Sequence, residues 1–352
     1  MAKGAAATGR LDGARIVVDD ATQANRIHAK GNVGELSGTA LHLRIVEAAW
    51  LASEGRLSVA GPQGALLAGD LLAPALSGSE RAEVEFLAYR DLRGRGLLVR
   101  AWKSGWAVWP RGAPATAEPE YAVEVRAERD AVQATQALAW AEAGTVLALV
   151  DEDGAVTYYR AGFDQPEGTC PLGDLPRIRG QILSDRVLVA DAKADELRRL
   201  EHLGVPTGAG LVLSFTEAES LRRRGVLDVP ADLAARAARL QPHFHRTLPV
   251  YEALRKAGVV AKSGFKFGTH LRGYRGDPDA SHAEWLVQCV LPGETLHWAD
   301  LSRAIRVAHG VRKRLLLAVS DHWCATSTSG GSSHSPASAS LRPLPTGVRH
   351  QD

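Results

Sequence analysis

A chain of 352 residues, 45% hydrophobic and 23% charged, has the composition of an ordinary globular protein with room for two or three domains. No apolar run approaches the roughly 18 residues needed to span a bilayer, and the opening MAKGAAATGR lacks the apolar segment of a secretory signal, so a cytoplasmic location is expected. A net charge of +2 is too small to announce nucleic-acid binding, and Cys170, Cys289 and Cys324 lack the spacing of a disulfide framework or a thiolate zinc site.

The predicted elements run in a repeating order. A strand at RIVV (from Arg15) leads to a helical stretch, a glycine and a short strand, ALHLRIVEAAWLASEGRLSV from Ala40 to Val59. A helix is expected in SERAEVEFLAYRDLRGRG, a strand in YAVEV, a helix capped near Asp130, and an apolar strand closing on Asp151. RVLV from Arg186 then answers RIVV, and GLVLSFTEAESLRRRGVLDV (Gly210 to Val229) answers the Ala40 segment. Leu41, Leu43, Glu47, Ala48, Leu51, Gly55, Leu57 and Val59 each recur as the same residue 170 positions later, while Gly34 and Gly38 answer Gly204 and Gly208. Chance does not give so many identities at one offset, so the chain is read as two tandem units of mixed α/β (α+β) class.

Each unit is expected to hold an N-terminal α/β subdomain (14–78 and 180–244) followed by a C-terminal one (79–165 and 245–324). In the second, HRTLPVYEALRKAG predicts a helix and WLVQCV a strand. A helix capped near Asp300 then buries Leu301, Ala304, Ile305 and Ala308 on one face, Gly310 ends it, and RLLLAV forms the last strand. From 325 to 352 Ser, Gly, Pro and Thr dominate, and a disordered tail is expected.

A duplicated core keeps its apolar positions in both copies, whereas an active site is needed in only one. Arg303, Arg306, Arg312, Lys313 and Arg314 of unit two face Gln133, Gln136, Glu142, Ala143 and Gly144 of unit one. A solvated helix face drifts in charge but seldom loses every cation, which favours specialisation over surface drift. The second difference is KSGFKFGTHLRGYRGDPDASHAEWLV (Lys262 to Val287) against KSGWAVWPRGAPATAEPEYAV (Lys103 to Val123), in which unit two carries extra residues. Lys-Ser-Gly-aromatic and Glu-aromatic are shared anchors; counted from the second, His282 faces Glu118, and Tyr274 faces an Ala/Pro-rich loop without a counterpart. Taken singly, a loop Tyr or His reads as a packing or surface residue.

Together they read differently. Arginine and lysine favour a phosphate-bearing partner. RNA is cleaved without a metal when its own 2′-hydroxyl attacks the phosphorus, a reaction that needs a base, an acid and a cation beside the phosphorane. Histidine titrates near working pH, and a phenol becomes a base if neighbouring cations stabilise its anion.

The segments KFGTHLRGYRG, SHAEWLV and DLSRAIRVAHGVRKRLLLAV resemble the catalytic domain of archaeal tRNA-splicing endonucleases, and the likeness extends over both units, roughly from Arg15 to Asp321. It is strongest to the homodimeric form, in which one chain holds an inactive and an active unit. The resemblance implies a nuclease-type fold for the C-terminal subdomains. It also implies metal-independent, cofactor-free excision of introns from precursor tRNA at a bulge–helix–bulge, leaving 2′,3′-cyclic phosphate and 5′-hydroxyl ends, an RNA lyase activity. It makes Tyr274 the general base, His282 the general acid and Lys313 the transition-state stabiliser, with Arg306, then Arg303, clamping a bulged base and Arg312 and Arg314 on RNA. Asp151, Glu152 and Asp153 form an acidic loop that by resemblance docks into a basic cleft of the partner subunit, and which EDG would in any case turn as a hairpin. One departure stands out: after Asp321 the expected last strand gives way to HWCATSTSGG, and a second base-clamping arginine has no clear match.

Rival readings are weaker. A metal-dependent nuclease would set Asp279 and Glu284 before a lysine, but Leu286 stands there. GVVAKSG fails the spacing of a phosphate loop, and His202, His243, His245 and Glu201 match no metal-ligand pattern. The alternative from another class is a non-catalytic RNA-binding or structural subunit of a splicing endonuclease assembly.

Overall fold

A computed structural model describes residues 6–61, 64–78, 81–103, 105–110, 112–114, 117–319 and 337–343. Two compact units emerge, one from residues up to 130 with 142–161, the other from 131–141 with 162–342. Both mix helices and sheets, as the repeating patterns predict. Among the described residues no helix is long and apolar enough to cross a membrane.

The first unit opens with β1 (Ala7–Asp12), β2 (Arg15–Val18), α1 (Ala21–Ala29), β3 (Glu35–Ser37), β4 (Ala40–Arg44), α2 (Ile45–Ser53), β5 (Leu57–Gly61) and β6 (Gly64–Leu66). Its strands lie in the order β3-β4-β2-β1-β5-β6. Helices α3 (Ala68–Gly78) and α4 (Arg81–Gly94) lead to β7 (Leu98–Trp102), β8 (Gly105–Trp109) and β9 (Tyr121–Ala127). After β10 (Ala131–Gln133) and α5 (Ala134–Glu142), strands β11 (Val146–Val150) and β12 (Val156–Phe163) complete a sheet in which β9 and β11 run parallel. Trp50 and Leu51 of α2 and Tyr89 and Leu92 of α4 share one core with Leu41, Leu43, Val123 and Val146.

The second unit begins with β13 (Ile178–Arg179), β14 (Gln181–Ile182), β15 (Arg186–Val189), α6 (Ala194–Glu201), β16 (Val205–Thr207), β17 (Gly210–Ser214), α7 (Phe215–Arg223), β18 (Leu227–Asp228) and α8 (Leu233–Leu240). Then come α9 (Phe244–Lys256), β19 (Val260–Ser263), β20 (Leu271–Tyr274), β21 (Trp285–Val290), β22 (Thr295–His297), α10 (Trp298–Gly310), β23 (Arg314–Val319) and β24 (Ala337–Pro343). Its main sheet has the order β19-β20-β21-β23-β24, with β21 and β23 parallel. Helix α9 runs through Pro249, which forfeits one backbone hydrogen bond. Burial of Leu248, Val250, Tyr251 and Leu254 around that position holds the helix together.

Several expectations are corrected. Helix α10 starts at Trp298 after a His297 N-cap, so Asp300 lies in the first turn, where it favours the helix dipole rather than capping it. Asp130 likewise accepts from the Ala127 N–H at 3.1 Å, ahead of an α5 that starts at Ala134. Residues 131–141 group with the second unit because β10 pairs with β22 and Trp140 stacks on Trp298 at 5.9 Å. Within the tail expected to be disordered, Ala337–Pro343 is a strand antiparallel to β23. Backbone pairing explains it: the outer edge of β23 carries N–H and C=O groups that need partners, and ASASLRP alternates small residues with period two. Residues 325–336 and 344–352, with Asp321 and Cys324, lie outside the described residues.

A capping box starts α7: the Ser214 Oγ accepts from the Glu217 N–H at 3.2 Å, while the Glu217 carboxylate accepts from the Ser214 N–H at 3.0 Å. That carboxylate also takes the Gly204 N–H at 3.0 Å and the Lys262 Nζ at 2.8 Å. Burial pushes its pKa up, but Lys262 and the hydrogen bonds outweigh burial and leave it below the ordinary 4.5. A depressed carboxyl stabilises the fold above its unfolded-state pKa and loses that contribution as pH falls through the folded value. Glu217→Gln is therefore expected to lower the melting temperature most at neutral pH, with the gap to wild type closing towards pH 3. A gap independent of pH would rule out this ion pair as its source.

Candidate active site

Tyr274, His282 and Lys313 come from three segments that end at one edge of a sheet. Tyr274 is the last residue of β20, Lys313 stands immediately before β23, and His282 lies in the loop entering β21. Gly273 pairs with Trp285, and Trp285 with Arg314, so the end of β20 and the starts of β21 and β23 lie abreast. The Lys313 Nζ donates to the Ala283 carbonyl at 2.8 Å, one residue from His282. Ala283 in turn packs in a small buried cluster with Tyr274, Val260 and Cys170. His282 itself is exposed, at the close of a turn in which the Ser281 N–H donates to the Asp277 carbonyl at 3.0 Å.

The sequence did not single out the cations that surround Lys313. A short 3-10 helix, Phe265–Phe267, carries Lys266, and the Lys313 ammonium lies 5.9 Å from the Phe267 ring centroid. Gly268 closes that helix at φ 71°, and Gly264 opens it where a Cβ would fall 2.7 Å from the Leu271 carbonyl oxygen. Arg272 lies 5.6 Å from the Tyr274 ring centroid. Burial, then Lys266, then Arg272 pull the Lys313 pKa below the usual lysine range. A cation so crowded gains most when an anion arrives.

The arginines divide into two kinds. Arg306 and Arg303 lie on the exposed face of α10, opposite buried Leu301, Ile305 and Ala308, and among the described residues Arg303 makes a solvent-exposed pair with Asp300 at 3.3 Å. Arg312 is exposed in the turn after α10, where φ is 55°. Arg314 is different: it pairs with Asp164 at 2.8 Å and Glu284 at 3.4 Å, so its charge is answered within the unit. Glu284 also pairs with Arg275 at 2.8 Å, and Asp279 with Arg198 at 2.6 Å, which occupies both carboxylates of the rival metal-site reading. His202 meets Asp277 at 3.4 Å, His243 lies edge-on to His270 at 4.6 Å, and Glu201 is bound by arginines.

Strand register fixes what unit one has in the same places. Val108 pairs with Tyr121, as Gly273 pairs with Trp285. Tyr121 answers Trp285, so Trp109 answers Tyr274, and the phenol does have a counterpart after all: an indole, 4% exposed, whose N–H donates to the Ala117 carbonyl at 2.8 Å. Leu98 pairs with Trp109 as Val260 pairs with Tyr274, which sets Arg100, not Lys103, opposite Lys262. The shared Lys-Ser-Gly is thus not a structural anchor. The extra residues of unit two lie in the β19–β20 connection (264–270), where β7 and β8 are joined by 103–104 alone. Unit one therefore sets Trp109, exposed Glu118 and Ala143 where unit two has Tyr274, His282 and Lys313.

The acidic loop of unit one is a hairpin turn between β11 and β12. The Asp151 carboxylate accepts the N–H groups of Asp153 at 3.1 Å and Ala155 at 2.8 Å, which leaves the exposed Glu152 and Asp153 at the tip.

Comparison with known proteins gives this geometry a family. Residues 244–323, which include Tyr274, His282 and Lys313, match the catalytic C-terminal domain of tRNA intron endonucleases, and residues 7–72 match the N-terminal domain of the same enzymes. The tRNA-splicing endonuclease of Haloferax volcanii is 37% identical over 89% of this chain and 95% of its own length. Those of Natronomonas pharaonis and Methanococcoides burtonii are 34% and 31% identical, each over 84% of this chain and 90% and 91% of theirs. With likeness of this extent, over both the N-terminal and the catalytic domain, the chain belongs to the tRNA-splicing endonuclease family.

Proposed function

We propose that this endonuclease excises introns from precursor tRNA at bulge–helix–bulge sites by attack of the substrate's own 2′-hydroxyl. Tyr274, as phenolate, takes the 2′ proton; the 2′ oxygen bonds to phosphorus; the P–O5′ bond breaks, and His282, as imidazolium, protonates the leaving 5′ oxygen. Lys313 faces the charge that builds on the phosphorane. The products are a 2′,3′-cyclic phosphate and a 5′-hydroxyl, and no metal takes part. Arg306, assisted by Arg303, stacks on a bulged base, and Arg312 meets backbone phosphate. Arg314, already bound to Asp164 and Glu284, is a structural residue in this reading.

One observation supports the proposal: Tyr274, His282 and Lys313 lie at neighbouring strand ends of one sheet in unit two, and the matching positions of unit one carry other residues. Unit one serves as scaffold, and its Glu152 and Asp153 dock on the partner chain of a homodimer in the cytoplasm. The purified protein, given a bulge–helix–bulge RNA in EDTA, is expected to release cyclic-phosphate ends. Binding without cleavage would favour a non-catalytic subunit, and a requirement for divalent metal would sink the mechanism. A native mass of one chain at micromolar concentration would sink the dimer.

A further inference from the structure

The first unit holds a cavity of about 230 Å³ whose walls include Arg15, His42, Arg44, Arg100, Trp102 and Trp109. We propose that this cavity binds a small phosphate-bearing ligand with a planar ring, of the class of a nucleoside monophosphate. Its walls all belong to the first unit, and the proposal is independent of the reading of the catalytic residues.

Comparison of the two units supplies the reason. The duplicated scaffold sets Lys262 in unit two and Arg100 in unit one at equivalent places on their hairpins. In unit two the Lys262 ammonium meets the Glu217 carboxylate at 2.8 Å and the position is closed by an ion pair. In unit one the equivalent carboxylate, Glu47, is 3% exposed and, among the described residues, accepts the Gly34 N–H at 3.1 Å and the Arg44 N–H at 2.9 Å. Arg100 makes no ion pair with it, and the Arg100 Nε and Nη2 are buried without a hydrogen-bond partner among the described residues. Burial alone pulls its pKa down, with no carboxylate to oppose the pull. A guanidinium with two unpartnered N–H groups, in a cavity that Arg15, His42 and Arg44 also line, favours an anionic ligand such as phosphate.

The remaining walls favour more than a bare ion. Arg100 lies 5.0 Å from the Trp109 ring centroid, and Trp102 sets a half-buried indole edge-on to Trp109 at 5.7 Å. An indole beside a cation is the usual bed for a nucleobase carrying phosphate. The carboxylates in the lining do not oppose this. Glu35 is paired with Arg15 at 3.4 Å, and burial raises the Glu47 pKa towards the neutral form.

Calorimetric titration of the full-length protein with adenosine monophosphate tests the site. One ligand per chain is expected, with Arg100→Gln weakening binding at least tenfold and Arg306→Ala leaving it unchanged. Because Arg100→Gln could disturb folding, Trp102→Ala serves as a second variant, expected to weaken the nucleotide severalfold while leaving inorganic phosphate unaffected. Loss of binding with Arg306→Ala but not Arg100→Gln would put the nucleotide in the catalytic cleft and overturn the proposal. So would the absence of binding at millimolar nucleotide, or inorganic phosphate binding as tightly as the nucleotide. Cleavage of RNA is not part of the readout, so failure of the catalytic reading would leave this result standing.

Discussion

Lys313→Ala is expected to lower single-turnover cleavage by about 10²- to 10³-fold, the loss typical of removing one donor aimed at transition-state charge. RNA affinity should change only a few-fold, since Arg303, Arg306 and Arg312 keep their exposed positions. The argument rests on what the ammonium already does. One of its three N–H donors is spent on the Ala283 carbonyl, which fixes the side chain beside His282 and leaves the other two for a phosphorane oxygen. Burial and the charges of Lys266 and Arg272 destabilise the bare cation, so under the proposed mechanism the negative charge developing on phosphorus is worth more there than in water. Single-turnover kinetics with saturating enzyme separate this from binding. A variant that cuts at the wild-type rate would remove Lys313 from the chemistry.

Glu201→Ala is expected to have the largest effect on folding, destabilising the second unit by about 3–5 kcal/mol. Glu201 is fully buried and accepts from the Arg224 Nη1 and Nη2 at 2.8 and 2.6 Å, from the Arg255 Nη2 at 3.3 Å and from the Gly173 N–H at 2.9 Å. Burial raises the carboxyl pKa, but the Arg224 bonds and charge outweigh it and leave it lowered. Arg255 is 2% exposed and, without Glu201, would keep only the Val259 carbonyl at 2.8 Å as a strong acceptor. An uncompensated buried guanidinium is the costly product of this change. The melting temperature should fall on the order of 10 °C by calorimetry. Glu201→Ala combined with Arg255→Met should recover part of the loss, because both charges then leave together. A fall of under 2 °C in the single variant would show that the network carries little.

Much of the fold was legible in the chain itself. RIVV and RVLV are β2 and β15, and the face of α10 that buries Leu301, Ile305 and Ala308 follows from their spacing, although Ala304, expected on the same face, is only half-buried. Helix starts were less legible, since Asp near a helix is favourable either as a cap or one turn in, and at Asp300 the latter applies. The candidate site was legible as residue types and as an asymmetry between copies. Its surroundings were not: Lys266 and Arg272 reach Lys313 through strand pairing and a 3-10 turn that no periodicity announces.

By itself the sequence determined the duplication, the mixed α/β class and the presence of Tyr274, His282 and Lys313 on segments where the second unit differs from the first. These are local or repeat-encoded properties, written in residue identity at a constant offset. The tertiary structure alone decided strand register, and with it that Trp109 replaces Tyr274, that Arg100 replaces Lys262, that Arg314 is answered by Asp164 and Glu284, and that residues 337–343 pair with β23. Register depends on connection length and on hydrogen bonds between distant segments, so a few residues inserted in one hairpin shift every facing pair while the sequence anchors stay in place.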